Sequence, residues 1–381
     1  MKISNIERRK RLKESTIVVI KVGSRVLVDE TGHPDSAKIG GLVKQIAGLY
    51  RQGKKIILVS SGAIAAGVEA LGLKSRPKAL PELQMAAAVG QTRLMTLYER
   101  LFSVQGCTAA QVLLTHGDLR KRARHLNARN TILRLLEHNI IPIINENDVV
   151  SVDEIRFGDN DQLAALTAIL IEANLLMLLT TANGLQEKFG DESSRIPFLD
   201  AVTEETLKIA NGKSGDFSLG GMSSKLQAAK LAADLGVSVV IADGNAENVI
   251  PEIINGADIG TLIVSKKKSA LSKIKRRKRW IAFFHRASGI IVVDSGAEKA
   301  VAEQNYSLLP IGILTVEGNF DKGSLVKIKN TAGKTIAKGL VSFSASEIRR
   351  IQGKKSSAIK NILGHDNYDE VIHRDNLIVI E

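Results

Sequence analysis

Ile140-Ile141-Pro142-Ile143-Ile144-Asn145-Glu146-Asn147-Asp148 is the stretch on which the reading of this chain turns. Its first five residues form a short β-branched run of the kind found in buried strands, and the run ends abruptly in a dense polar cluster. Asn160 follows Asn145 by fifteen residues, inside a second cluster, Phe157-Gly158-Asp159-Asn160-Asp161. That cluster opens the apolar, helix-like segment Gln162 to Ile171. A buried strand ending in acids and amides, with a polar helix start after it, is the pattern of an open α/β sheet, where ligands collect at strand ends. Two such clusters on one scaffold point to a charged ligand.

Working outward, the same strand-like signature recurs at Thr16 to Val22, Ile56 to Val59, Ala109 to Leu114, Leu175 to Leu179 and Val237 to Ala242. Helix-like segments lie between them, so repeated βα units and a mainly parallel sheet sandwiched by helices are expected. Past a basic stretch at 266–278 the character changes to short β-like runs with frequent glycines. The 381 residues suit about two domains. We divide the chain into a main domain at 14–265, a linker at 266–278 and a small, mainly β domain at 279–375. Apolar content of 44% with only 4% aromatic residues predicts an aliphatic core and excludes a disordered or fibrous chain.

The net charge of +13 is unevenly placed. Lys266 to Arg279 carries nine Lys or Arg residues and no acid, and Arg8 to Lys13 forms a shorter basic run. A solvated interdomain linker is the leading reading of the longer run. A nucleic-acid contact helped by Trp280, Phe283 and Phe284, or an anion contact between subunits, are the alternatives. The single Cys107 excludes an internal disulfide and reads as a buried, inert thiol. The N-terminus lacks the apolar run of a secretory signal, and the most hydrophobic window, Leu163 to Leu179, is broken by Glu172 and Asn174. A cytoplasmic, non-membrane protein is expected. The seven histidines show no ligand spacing, so no metal-ligating residues are assigned.

Three glycine-bearing turns carry the chemistry. Lys21-Val22-Gly23-Ser24 and Ser60-Ser61-Gly62-Ala63-Ile64-Ala65-Ala66-Gly67 each follow a strand and can present backbone N–H groups to an anion. Gly220-Gly221-Met222-Ser223-Ser224-Lys225 precedes the helix-like Leu226 to Leu235 and places a lysine near a helix start, either as a phosphate grip or as an ordinary exposed side chain. No Walker P-loop is present, because Leu207 stands where the leading glycine before Gly212-Lys213-Ser214 belongs, and no G-x-G-x-x-G fingerprint occurs.

Together with Asn127-Ala128-Arg129-Asn130, these motifs appear in an order that resembles the glutamate 5-kinase branch of the amino acid kinase family, followed by a PUA-like domain. The resemblance spans nearly the whole chain. It implies a three-layer αβα sandwich and ATP-dependent phosphorylation of the side-chain carboxylate of L-glutamate, giving L-glutamyl 5-phosphate, the first step toward proline. It implies Lys21 and Lys225 as the catalytic charges. Ser61, Asp148 and Asn160 match the glutamate-binding positions, with Asn145, Asp159 and Asp161 in support. Lys21, Gly23, Thr180, Thr181, Leu219, Gly220, Gly221, Met222, Ser223, Ser224 and Lys225 fall on the nucleotide side, with Mg²⁺ as the companion ion.

The chain departs from the usual pattern at Thr181, where an aspartate is common, and at Leu219, where a threonine is common. Both departures bear on nucleotide specificity. Gly289 to Ala297, Ser307 to Gly312 and His373-Arg374-Asp375 resemble the PUA module. The resemblance further implies a homo-oligomer, proline as feedback inhibitor and coupling to glutamyl phosphate reductase; RNA is a subordinate candidate partner. Two competing readings are a family member with another acceptor, and a noncatalytic RNA-binding or regulatory descendant.

Overall fold

The computed structural model describes residues 4–120, 122–150, 159–188, 190–211, 220–264, 287–304, 306–364 and 368–380. The basic stretch 266–278, Trp280, Phe283, Phe284, Phe157, Gly158 and Leu219 lie outside these residues. The chain divides into two compact units, Met1–Ser272 and Lys273–Glu381.

In the first unit the strands are β1 (Ile17–Val22), β2 (Lys55–Ser60), β3 (Thr108–Leu114), β4 (Ile140–Glu146), β5 (Leu175–Thr180), β6 (Leu185–Gln186), β7 (Arg195–Ile196), β8 (Phe198–Leu199), β9 (Ser238–Asp243) and β10 (Thr261–Ile263). Eight of them form one sheet in the order β3-β4-β2-β1-β5-β9-β10-β8, and β6 pairs with β7 alone. Only β9 and β10 run antiparallel within the large sheet. The six strand-like runs of the sequence are β1 to β5 and β9. The four strands without such a signal are two or three residues long, too short for an apolar pattern to register.

Side-chain alternation assigns the two faces. Val18, Ile20 and Val22 join Ile39, Ile46, Tyr98, Phe102 and Ile250 in one core, under the helices Ser36–Arg51, Leu80–Val104 and Val249–Asn255. Val19 and Lys21 therefore point to the opposite face, where the helix Asp159–Leu170 lies between the sheet and the helix Gly220–Asp234. That middle helix is apolar nearly all round, with Leu163, Ala164, Ala165 and Ala168 fully buried, as a helix covered on two sides must be.

Register brings the polar strand ends to one edge. Lys21 is opposite Val59, and Val59 is opposite Ile144, so Lys21, Ser60 and Asn145 all emerge at the carboxyl end of the sheet. Glycine lets the neighbouring helices close on this edge. A Cβ on Gly67 would lie 1.8 Å from Ala86 O, and one on Gly90 would lie 1.8 Å from Ala63 O. The helices Ala63–Ala70 and Leu80–Val104 thus touch backbone to backbone.

Arg9 is a cation hidden in the shorter basic run. It is 3% exposed and donates to the carbonyls of Pro197, Ala257, Ile259 and Gly260, with Asp258 at 3.0 Å. The N-terminal helix Asn5–Lys10 is thereby fastened to the loop that leads into β10. Cys107 is buried, and burial pushes its thiol up from its ordinary value. No helix among the described residues is long and apolar enough to cross a membrane.

The second unit is a five-stranded sheet of β11 (Gly289–Val293), β12 (Ile313–Glu317), β13 (Leu325–Lys329), β14 (Thr335–Leu340) and β15 (Leu377–Val379). The order is β12-β11-β13-β14-β15, with only β11 and β13 parallel. Its core, including Ile291, Val326, Ile328, Phe343 and Ile348, is separate from that of the first unit.

Candidate active site

Asp161 stands at the centre of the polar edge. Carried on the first turn of the helix Asp159–Leu170, it is 0% exposed, and each of its oxygens meets a different lysine. Lys21 Nζ, from β1, lies 2.6 Å from Oδ1, while Lys225 Nζ, from the first turns of the helix Gly220–Asp234, donates to Oδ2 at 3.1 Å. Ser224 Oγ adds a longer bond to Oδ2 at 3.3 Å. Burial alone would raise the Asp161 carboxyl, but the charges and hydrogen bonds of Lys21 and Lys225 outweigh it and hold the group below its ordinary value. Burial pulls the Lys21 ammonium down, with Asp161 opposing and Lys225 adding to the pull. Two cations around one anion leave a net positive point at the sheet edge.

Beside this point lies a cluster of amides and hydroxyls. Asn160 Nδ2 reaches Ser61 Oγ at 2.9 Å, Asn145 Oδ1 at 3.0 Å and Ser60 O at 3.1 Å. Asn145 donates to Gln91 Oε1 at 2.8 Å, and Ser60 Oγ shares a hydrogen with the buried Tyr98 hydroxyl at 2.9 Å. Burial pushes the Tyr98 hydroxyl up to about 12, so it stays a neutral hydrogen-bonding group. Asp148 follows β4 in the turn closed by Val150 N donating to Asn147 O, and is half-buried. Asp159 begins its helix.

Two expectations about glycine are corrected here. Gly23 N–H is already donated to Leu179 O at 3.0 Å, prolonging the β1–β5 ladder, so Gly23 offers room beside Lys21 Nζ and no spare donor of its own. Gly67 lies inside a helix and serves close packing; Gly62, at φ +105°, is the residue that turns the chain from β2 into that helix. Gly220 and Gly221 do sit at a helix start, where first-turn N–H groups have no partner within the helix. Met222, Ser223 and Ser224 follow on the same turn and are half-buried. Thr180 ends β5 and accepts from Gly244 N at 2.7 Å, and Thr181 is exposed beyond it. Gln91 and Tyr98 belong to none of the sequence motifs; only their hydrogen bonds across the edge mark them. Arg129, from one of those motifs, donates to Leu170 O at 3.1 Å and caps the end of the middle helix.

Residues 16–243 match the model of the amino acid kinase family, and 289–363 match that of the PUA domain. A glutamate 5-kinase from Moorella thermoacetica is 44% identical over 98% of this chain and 99% of that protein. The chain belongs to the amino acid kinase family, among its glutamate 5-kinases. Glutamate 5-kinases from Thermoanaerobacter (strain X514) and Geobacter sulfurreducens are similar to it at 44% and 45% identity, over 96% and 95% of this chain and 98% and 97% of theirs. A solved UMP kinase from Bacillus anthracis, 14% identical over 66% of this chain and 97% of that one, gives a TM-score of 0.45. Among the described residues of the first unit, the sheet edge just described gathers two buried lysines, side-chain amides and a buried acid.

Proposed function

We propose that this chain transfers the γ-phosphoryl group of ATP to the side-chain carboxylate of L-glutamate, forming L-glutamyl 5-phosphate and ADP, the first step toward proline. The observation that carries the mechanism is the placement of Lys21 and Lys225 on opposite oxygens of one buried carboxylate. A carboxylate acceptor, with an ordinary pKa near 4.3, is already ionised at neutral pH, so the reaction needs no base. What it needs is to bring two anions together. A carboxylate oxygen attacks the γ-phosphorus, the bond to the β,γ-bridging oxygen breaks, and the electron pair leaves with ADP.

In this reading Lys21 and Lys225 offset the charge that spreads over the transferring group, and Asp161 aims both ammoniums. Ser61 donates to substrate carboxylate, Asp148 and Asn160 hold the ammonium, and Asn145 and Asp159 support them. The nucleotide lies against Gly23, Thr180, Thr181 and the helix start Gly220 to Lys225, with Leu219 assigned to the same side by family likeness. Both Asp161 oxygens are taken by lysines, and the described residues contain no cluster of three or more His, Cys, Asp or Glu side chains suited to a metal. A Mg²⁺ arriving with ATP would supply further charge neutralisation beside Lys21 and Lys225.

The chemistry is assigned to 14–265, the PUA-like domain at 279–375 to regulation or assembly, and 266–278 to the link between them. A homo-oligomer, inhibition by proline and hand-over of the acyl phosphate to glutamyl phosphate reductase complete the reading; they rest on family likeness. The test is ADP release from Mg²⁺-ATP with and without L-glutamate, with hydroxylamine present to trap the acyl phosphate as hydroxamate. Glutamate-dependent hydroxamate supports the proposal; ADP release without it, or release only with another acceptor, overturns it.

A further inference from the structure

Three side-chain amides run end to end along the edge of the sheet. Asn160 Nδ2 donates to Asn145 Oδ1 at 3.0 Å, and Asn145 Nδ2 donates in turn to Gln91 Oε1 at 2.8 Å. Each carbonyl takes a hydrogen from the next amide, so the chain has a direction and two unlike ends. Those ends are the N–H₂ of Gln91 and the carbonyl oxygen of Asn160. Both atoms are shut off from solvent, and neither has a hydrogen-bond partner. Buried polar atoms are almost always paired, so two orphans of opposite character at the ends of one chain call for a ligand that supplies both complements.

The ligand must offer an acceptor to Gln91 and a donor to Asn160. A phosphate offers acceptors only and would face the Asn160 oxygen with like charge. An α-amino acid head carries a carboxylate and an ammonium on one carbon and meets both needs. Position agrees with this chemistry. Gln91 joins the edge at β4, which is separated from β1 by β2, and at the usual strand spacing that is roughly 10 Å from the strand bearing Lys21. The Gln91 end of the chain is thus the end away from the two lysines, where the amino acid head lies when the side-chain carboxylate faces them.

The mounting of Gln91 is rigid. The preceding residue, Gly90, is the one whose Cβ would strike Ala63 O, so the helix Leu80–Val104 cannot shift inward. Two turns further along, Tyr98 bonds Ser60 Oγ, so one helix fixes the ends of both β2 and β4.

We infer that Gln91 is a specificity-determining residue of this site, its Nε2 donating to the α-carboxylate of the acceptor amino acid while Asn160 Oδ1 accepts from the α-ammonium. The inference rests on the glutamate-kinase reading above.

Gln91→Glu tests it, because the oxygen that accepts from Asn145 remains while the donor becomes a negatively charged acceptor. The expected result is a rise of about hundredfold in KM for L-glutamate, with KM for ATP nearly unchanged. The inhibition constant of 4-aminobutanoate, which lacks the α-carboxylate, stays within about threefold of wild type on the same grounds. A folded Gln91→Glu enzyme whose glutamate KM stays within about threefold of wild type overturns the inference, and so does equal weakening of glutamate, 4-aminobutanoate and ATP. Should that variant not fold, Gln91→Met keeps the volume and removes the donor, and about a tenfold rise confined to glutamate is then expected; no rise, or one shared with ATP, overturns the inference. A wild-type protein that forms no hydroxamate from L-glutamate sinks the underlying functional reading before any variant is measured.

Discussion

Lys21 Nζ lies 2.6 Å from Asp161 Oδ1, and through that contact the central strand β1 is joined to the helix that begins with Asp159. Both side chains are buried, at 5% and 0% exposure, and Lys225 occupies the carboxylate's second oxygen. An ion pair in such a place is costly to desolvate and contributes little net stability, but loss of one partner strands the other. Lys21 is the more deeply buried of the two lysines, at 6% side-chain exposure against 12% for Lys225, and so matters more to the fold.

Lys225→Ala is expected to lower kcat on the order of 10²–10³-fold, as for removal of one charge-stabilising donor, with a smaller fall in the unfolding midpoint than Lys21→Ala gives. Lys21→Ala should lose comparable activity and more stability than Lys225→Ala, because it removes the shorter and more deeply buried of the two ion pairs and leaves Asp161 with Lys225 alone. Paired kinetic and urea-unfolding measurements separate the two, and equal stability losses would refute the asymmetry.

The depressed Asp161 carboxyl makes stability depend on acid. Its folded-state value is below its unfolded one, so the stability it contributes is complete above about pH 4–5 and is lost as pH falls through the folded value. Wild type should lose urea resistance more steeply than Asp161→Asn on acidification from about pH 5 to pH 3. Parallel curves would show that Asp161 does not titrate as described.

Arg9→Ala removes charge-assisted bonds to four carbonyls at once and should destabilise the first unit by on the order of 3 kcal/mol. Since Arg9's partners flank β10, which β5 and β9 separate from the strand bearing Lys21, kcat measured below the new melting range should hardly change. A large fall in kcat would mean that the N-terminal helix acts on the site.

Gly90→Ala places a methyl against backbone, where nothing can yield cheaply. A loss of about 1–3 kcal/mol or more is expected, together with a raised KM for L-glutamate, because the helix that carries Gln91 and Tyr98 must move. A wild-type melting curve would rule out the tight crossing.

Removal of residues 279–381 should leave a protein that still forms hydroxamate from L-glutamate, since each unit has a core of its own. A folded truncation with no turnover would place the second unit in catalysis.

Much of the fold was legible because its signals are local. Five of the six strands seen in the sequence are runs of β-branched or leucine-rich residues between turns, and all six lie in the sheet. The polar clusters at 145–148 and 158–161 announced a ligand edge because acids and amides bordering apolar runs have few other uses. Illegible were contacts between residues far apart in the chain. Arg9 reads as one more solvated cation until β10 and its loop fold over it. Gly67 reads as an anion loop, although the helix Leu80–Val104, through Ala86 nineteen residues further on, is what requires it. Gln91 has no motif and is singled out only by the bond it accepts from Asn145.

By itself the sequence determined the class of sheet, the second β-rich unit and the residues that could bear charge chemistry, since apolar periodicity and turn residues act over a few neighbours. Tertiary structure alone decided that Lys21 and Lys225 share Asp161, that Gly23 has no spare N–H, and that a three-amide chain ends at Gln91. Each of these depends on strand register and helix approach, set by the packing of the whole core rather than by any local stretch.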